Sequence, residues 1–119
     1  MKILIHLTHG PERPTVAALA FLVGKTAIEK GHTVNMFLAG DAVQLMRVAT
    51  LETLQGLGTG KLQEHYEAIV AGGGKFYLSG MSAKARGLAQ SDLNQKTSEF
   101  AMPDVLLELA IDSDRMFVY

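Results

Sequence analysis

Cysteine is absent from all 119 residues of the chain, and this absence removes more chemistry than any other feature of the composition. A chain without thiols forms no disulfide, offers no thiolate to a metal ion and carries no sulfur as a persulfide. Long apolar runs are also missing, since no stretch approaches the roughly 18 residues that a membrane-spanning helix needs. The apolar run at residues 3–7 is too short for the core of a signal peptide. The sequence therefore predicts a cytoplasmic protein with no membrane partner.

Charge is scarce, and neither sign dominates. Charged side chains make up 19% of the chain and the formal net charge is −1, so the composition does not favour a nucleic-acid partner. The four histidines show no i, i+4 pair and no carboxylate at metal-binding spacing, so we predict no metal site and no cofactor. Hydrophobic residues reach 48%, and with this chain length they predict one globular domain over residues 1–119.

The apolar residues form five short runs, each typical of a buried strand. These runs lie at residues 3–8, 34–38, 76–78, 99–102 and 115–119. Helical spacing of apolar residues separates them, with predicted helices after an N-cap at Thr15, after a cap at Asp41, over about residues 61–71 and from Pro103. This alternation predicts an α/β protein with three α/β/α layers and a mostly parallel five-stranded sheet.

Two features in this pattern are less regular. Gly56, Gly58 and Gly60 alternate in a segment that lacks the Lys-Ser/Thr ending of a phosphate-binding loop, so we expect a flexible connector there. Of the histidines, His6 on the first strand is expected in the core or at an interface, and His65 is expected on the solvated side of its helix.

The most informative segment is the turn at residues 79–80, where a buried strand passes sharply into a helix. Free backbone N–H groups and the cations Lys84 and Arg86 suit this turn to holding an anion or activating a nucleophile. A serine nucleophile needs an adjacent base, and His9 is the nearest candidate. The structural alternative is that Ser79 fits a tight turn, Ser82 caps a helix and Arg86 anchors a loop.

Ligands of an open parallel sheet bind beyond the carboxyl ends of its strands. The loops after the first three predicted strands belong to that rim, and their polar side chains are candidates for binding a ligand. The predicted ligand-binding residues are His9, Glu12, Arg13, Asp41, Ser79, Gly80, Ser82, Lys84 and Arg86.

Four runs of the sequence resemble the DsrE/DsrF-like family, relatives of bacterial sulfur-relay proteins. The runs are GPERPT (10–15), KGHTV (30–34), FLAGDAV (37–43) and SGMSAKARGL (79–88), and the similarity extends to the closing residues 114–119. The resemblance implies a flavodoxin-like domain that assembles into trimers or hexamers. In active members it also implies a persulfide-carrying cysteine, at the position that Ser79 holds here. Some relatives carry a second cysteine, where this chain has Ser82.

Neither serine can form a persulfide, so sulfurtransferase chemistry by this chain is not expected. The sequence predicts a homo-oligomeric binding or assembly subunit, and it leaves open whether any reaction is catalysed. The alternative is a protein or enzyme that holds a small anion or a nucleotide phosphate at the turn from Ser79 to Arg86. A third hypothesis is a mixed ring in which this chain is structural and cysteine-bearing paralogues are its partners.

Overall fold

Five parallel strands form the central sheet in the computed structural model, which describes residues 1–93 and 98–119. The strands are β1 (Lys2–Leu7), β2 (Thr33–Leu38), β5 (Lys75–Ser79), β6 (Ser98–Ala101) and β7 (Arg115–Val118), with a separate hairpin of β3 (Gln55–Gly56) and β4 (Gly60–Lys61). The order across the sheet is β6-β5-β2-β1-β7, and every pairing in it is parallel. The predicted parallel sheet is confirmed.

The helices complete a three-layer arrangement around this sheet. They are α1 (Pro14–Glu29), α2 (Val48–Thr53), α3 (Leu62–Ala71), α4 (Gly80–Ala85) and α5 (Pro103–Asp112), with 3-10 helices at Gly40–Met46 and Gln90–Asp92. From β1 to β6 the chain moves in one direction across the sheet, so right-handed crossovers keep α1 to α4 on one face. The return to β7 beside β1 places α5 alone on the other face.

The face under α1 and α3 carries the main core. Alternate side chains of β1 and β2, such as Ile5 and Met36, are in register and fully buried there. Helix α1 approaches them closely because Gly24 has no side chain. A Cβ at Gly24 would lie 2.9 Å from Cδ1 of Ile69 and 3.0 Å from Sδ of Met36. Shape as well as hydrophobicity therefore determines how α1 sits on the sheet.

The face under α5 carries a smaller core. Leu4, Phe37 and Ala101 are buried there against partly buried side chains of α5. Four large apolar side chains on this side of the sheet stay exposed, and we call them the outer apolar face: Leu107 (62% exposed), Ile111 (76%), Met116 (48%) and Val118 (59%). One helix is too little to cover both the centre of the sheet and its β7 edge.

Two predicted helix caps are wrong. Helix α1 begins at Pro14 rather than after Thr15, because the fixed φ of proline suits the first helical position. The Thr15 hydroxyl instead accepts a hydrogen bond from the Leu57 backbone N–H at 3.1 Å. After β2 the chain enters a 3-10 helix with Ala39 as its N-cap residue, and Asp41 lies in the first turn.

The flexible connector predicted at the alternating glycines is also wrong, because this segment forms the β3–β4 hairpin. Gly58 and Gly60 have φ values of 77° and 84°, a left-handed conformation that glycine adopts without strain. The Thr59 hydroxyl ties the hairpin to α1 by donating to the Thr15 carbonyl oxygen at 3.2 Å.

The same hairpin overturns the expectation for His65. This side chain is only 4% exposed, and its Nε2 lies 2.7 Å from the Thr59 carbonyl oxygen. The helical pattern of the sequence places His65 away from the sheet, but it does not show that a hairpin folds over that side of α3. No helix in the described ranges is long and apolar enough to cross a membrane.

Candidate functional site

The loops that follow β1, β2 and β5 meet at the carboxyl end of the sheet. Gly10 packs so tightly on the next loop that a Cβ there would lie 2.1 Å from the Asp41 carbonyl oxygen. Gly40 donates its backbone N–H to Oγ of Ser82 at 2.8 Å. The rim that the parallel sheet predicts therefore exists, and it brings Asp41, Ser79, Ser82 and Arg86 into one connected group.

Ser79, one member of this group, is the N-cap residue of α4. It is the last residue of β5, and its Oγ accepts a hydrogen bond from the Ser82 backbone N–H at 3.2 Å, which satisfies one of the free donors at the start of α4. The capping role suggested for Ser82 thus belongs to Ser79. Within the described residues no histidine or carboxylate hydrogen-bonds to the Ser79 hydroxyl, so the geometry shows no base that would activate it.

Arg86 joins the loop after β2 to α4. Its Nε and Nη2 donate to Oδ1 of Asp41 at 3.2 and 3.0 Å, and its Nη1 donates to the Ser82 carbonyl oxygen at 3.1 Å. The Arg86 side chain is 28% exposed and that of Asp41 is 56% exposed. The guanidinium is thus already paired with a carboxylate.

Arg47 is a further member of the group that sequence reasoning missed. It donates to Oε1 of Gln44 and, through Nη2, to the Arg86 carbonyl oxygen at 3.1 Å. Its Nη1 also lies 3.8 Å from Oδ2 of Asp92, which connects two further segments to the rim. The sequence feature that could have identified Arg47 is its position as a single arginine inside an otherwise apolar stretch. A cation in such a stretch is expected to be partly buried, and a partly buried cation requires polar partners.

The remaining polar candidates lie around this group without joining it. Oε1 of Glu12 accepts the Gly10 backbone N–H at 2.7 Å, and Arg13 is the exposed N-cap residue of α1. Both line a groove of about 320 Å³ at the start of α1. Lys84 is exposed and forms no ion pair within residues 1–93 and 98–119. Neither this groove nor the two larger clefts, of about 440 and 390 Å³, are lined by Ser79, Ser82 or Arg86.

Two histidines at this end of the sheet have a buried nitrogen without a hydrogen-bond partner among the described residues. They are His9, at Nδ1, and His6, at Nε2. The His6 ring meets Phe37 edge to face, with centroids 5.9 Å apart, and burial lowers the pKa of His6. In the part of the chain that the structure describes, no three histidines or acidic residues are grouped to hold a metal ion.

Comparison with known proteins gives a consistent result. The sequence model of the DsrE/DsrF-like family matches residues 1–119. The ychN protein from E. coli has a similar structure, with a TM-score of 0.83 and 17% identity over 100% of this chain and 99% of that chain. A protein of unknown function from Methanobacterium thermoautotrophicum, MTH1491, has a TM-score of 0.68 and 9% identity over 99% and 98%. No curated protein matches. At these identities, the two structures show a shared fold.

Proposed function

The chain belongs to the DsrE/DsrF-like family as a member without cysteine, and from that premise we propose that it is a homo-oligomeric assembly or binding subunit. It does not carry sulfur as a persulfide, because Ser79 and Ser82 are oxygen nucleophiles and no thiol stands elsewhere in the sequence. The single observation that carries the proposal is the outer apolar face.

The outer apolar face supports assembly because a single subunit leaves it in water. All four residues of β7 are exposed, and no residue of α5 is fully buried. Exposing a large apolar side chain costs about 1.5 to 3 kcal/mol relative to burying it. A second copy of the chain presents the same residues, so association removes apolar surface from both subunits.

The connected group of Asp41, Ser79, Ser82 and Arg86 supports the same role because its side chains are bonded within the group or to nearby backbone. Arg86 is paired with Asp41, and the Ser82 hydroxyl already accepts the Gly40 N–H. Side chains that are hydrogen-bonded or ion-paired in this way hold the loops in place, and they leave few polar groups free to bind a ligand. We infer that the family scaffold is retained in this chain for its shape and its contacts with other subunits, as a trimer or hexamer in the cytoplasm.

The test of this proposal is the mass of the protein in solution. Sedimentation or light scattering at micromolar concentration is expected to give an oligomer, and Leu107→Glu is expected to shift it to the monomer by placing a charge in the interface. The matched control is Leu57→Glu, since Leu57 is 90% exposed at the hairpin tip, outside the outer apolar face. A monomeric wild type, or equal effects of both substitutions, contradicts the proposal. An oligomer formed only with a cysteine-bearing paralogue favours the mixed ring.

Anion binding at the Ser79 turn is the second candidate, and the observation that favours it is Lys84, which is exposed and has no ion-pair partner in residues 1–93 and 98–119. Phosphate or sulfate binding is measurable by calorimetry, with Lys84→Ala expected to weaken it and Lys75→Ala, at the opposite end of β5, expected to leave it unchanged. Arg86→Ala is a poor probe because it also releases Asp41. Equal binding by both lysine variants removes the turn from consideration.

A further inference from the structure

His6 lies at the border of the outer apolar face. On β1 it is in register with Val118 of β7 on one side and with Phe37 of β2 on the other. Side chains in register on parallel strands point to the same face of the sheet, so His6 shares the α5 side with Val118. Phe37 is 2% exposed, whereas Val118 is 59% exposed. His6 therefore stands where the covered part of this face ends, and a subunit that covers Val118 also covers His6.

The charged groups on the α5 side of the sheet do not pair with His6. The α5 acids Asp104 and Glu108 are exposed, and Asp112 is held by Nζ of Lys2 at 3.0 Å. The carboxylate of Asp114 accepts the Lys2 backbone N–H at 2.7 Å. None of these carboxylates hydrogen-bonds to His6 within the described residues, so no acid stabilises its protonated form.

The neighbouring strands add no partner either. Tyr77 and Glu99 occupy the same row of the sheet beyond Phe37, which separates them from His6. Burial, and after it the charge of Glu99, raises the pKa of Tyr77, so the phenol is neutral near neutral pH. Arg115 of β7 is in register with Ile3 and points to the opposite face. The immediate neighbours of His6 in its row of the sheet, Phe37 and Val118, are therefore uncharged and suit a neutral imidazole.

We propose that His6 makes assembly through the outer apolar face sensitive to acid, because the subunits associate with His6 neutral and separate when it takes up a proton. This inference rests on the proposed homo-oligomer. An imidazolium has two N–H donors, and Nε2 of His6 is buried without an acceptor in the part of the chain that the structure describes. Covering the face removes water from the rest of the ring, so the charged form loses more hydration in the oligomer than in the free subunit.

The direction of the pH dependence of association follows from proton linkage. Burial in the free subunit lowers the pKa of His6 below its ordinary value of 6.5, and association lowers it further. Association is therefore strongest above the pKa that His6 has in the free subunit, which lies below 6.5, and it weakens as the pH falls through that pKa. Each enclosed histidine changes the association constant by at most about tenfold per pH unit.

The experiment measures the dissociation constant of the oligomer by sedimentation across a dilution series between about pH 7.5 and pH 5.5. Wild-type protein is expected to dissociate more readily at the acid end, by up to about tenfold per enclosed histidine for each pH unit below the pKa of His6 in the free subunit. His6→Phe keeps an aromatic ring against Phe37 and is expected to remove the pH dependence. His32→Gln, which changes a histidine at the other end of the sheet, is expected to keep it.

Each outcome distinguishes the inference from the proposal beneath it. A wild type that is monomeric at every pH overturns the homo-oligomer. An oligomer whose dissociation constant is the same at both ends of the pH range overturns the role of His6 and leaves the homo-oligomer standing. Unchanged pH dependence in His6→Phe assigns it to another group. If His6→Phe does not fold, as judged by circular dichroism, His6→Gln gives the same comparison with a smaller polar side chain.

Discussion

The two faces of the sheet differ in how completely helices cover them. On one face α1 to α4 bury a continuous set of side chains that includes Phe21, Leu38 and Phe76. On the other, α5 alone buries Leu4, Phe37 and Ala101, and the outer apolar face stays in water. The same strands thus form a fully covered core on one face of the sheet and a partly covered core on the other. The difference separates residues that fold the subunit from residues available to join subunits.

The largest expected effect comes from removing the same side chain from each face. Leu38→Ala empties a fully buried site and is expected to lower the free energy of unfolding by about 2 to 5 kcal/mol. Leu107→Ala removes an exposed side chain and is expected to change the stability of the subunit by less than about 0.5 kcal/mol. Urea denaturation in dilute solution measures both. Similar losses for the two variants refute the contrast between the faces.

A smaller effect is expected where the loop after β1 packs against the rim. Gly10→Ala places a Cβ against the Asp41 carbonyl oxygen, and the required shift of backbone is expected to cost about 1 to 3 kcal/mol. Gly80→Ala is the matched control, because its nearest contact would be an ordinary one, 3.6 Å from Sδ of Met102. Thermal unfolding of the two variants decides the point. Equal midpoints show that the first loop adjusts freely.

The smallest effect is expected from the ion pair at the rim. A double-mutant cycle of Arg86→Ala and Asp41→Ala is expected to give a coupling energy of about 0.5 to 1 kcal/mol, since the pair is only partly shielded from water. The more exposed pair of Lys2 and Asp112 is the comparison and is expected to couple more weakly. Zero coupling between Arg86 and Asp41 argues that the guanidinium is free for another ligand.

Much of the fold was predictable because local patterns carry it. The apolar runs around β1 and β2 and the helical spacing of α3 lead directly to the observed elements. The residues around Gly58 were misread because a glycine-rich hairpin and a mobile connector have the same composition. The hydrogen bond of Thr59 to Thr15 of α1 distinguishes the two, and these residues are 44 positions apart in the sequence.

The candidate site was predictable in place and only partly in detail. The rule that loops gather beyond the carboxyl ends of parallel strands located the rim correctly. It does not reveal that the charge of Arg86 is paired with Asp41, which lies 45 positions away, or that Arg47 supports the same group. An ion pair of this kind depends on how two segments approach each other, and the sequence of either segment alone does not show it. Binding of a ligand by the rim residues stays a prediction.

The sequence by itself determined the alternation of strands and helices and the family. It also determined the absence of a thiol, because each follows from residue types and their order. The tertiary structure alone decided that Ser79 is the N-cap of α4 and that Arg86 links α4 to the loop after β2. It also decided which apolar residues stay exposed, as Leu107 does and Leu106 does only in part. The physical reason is that burial and pairing are properties of contacts across the fold, and a side chain acquires them only from neighbours that the chain brings together.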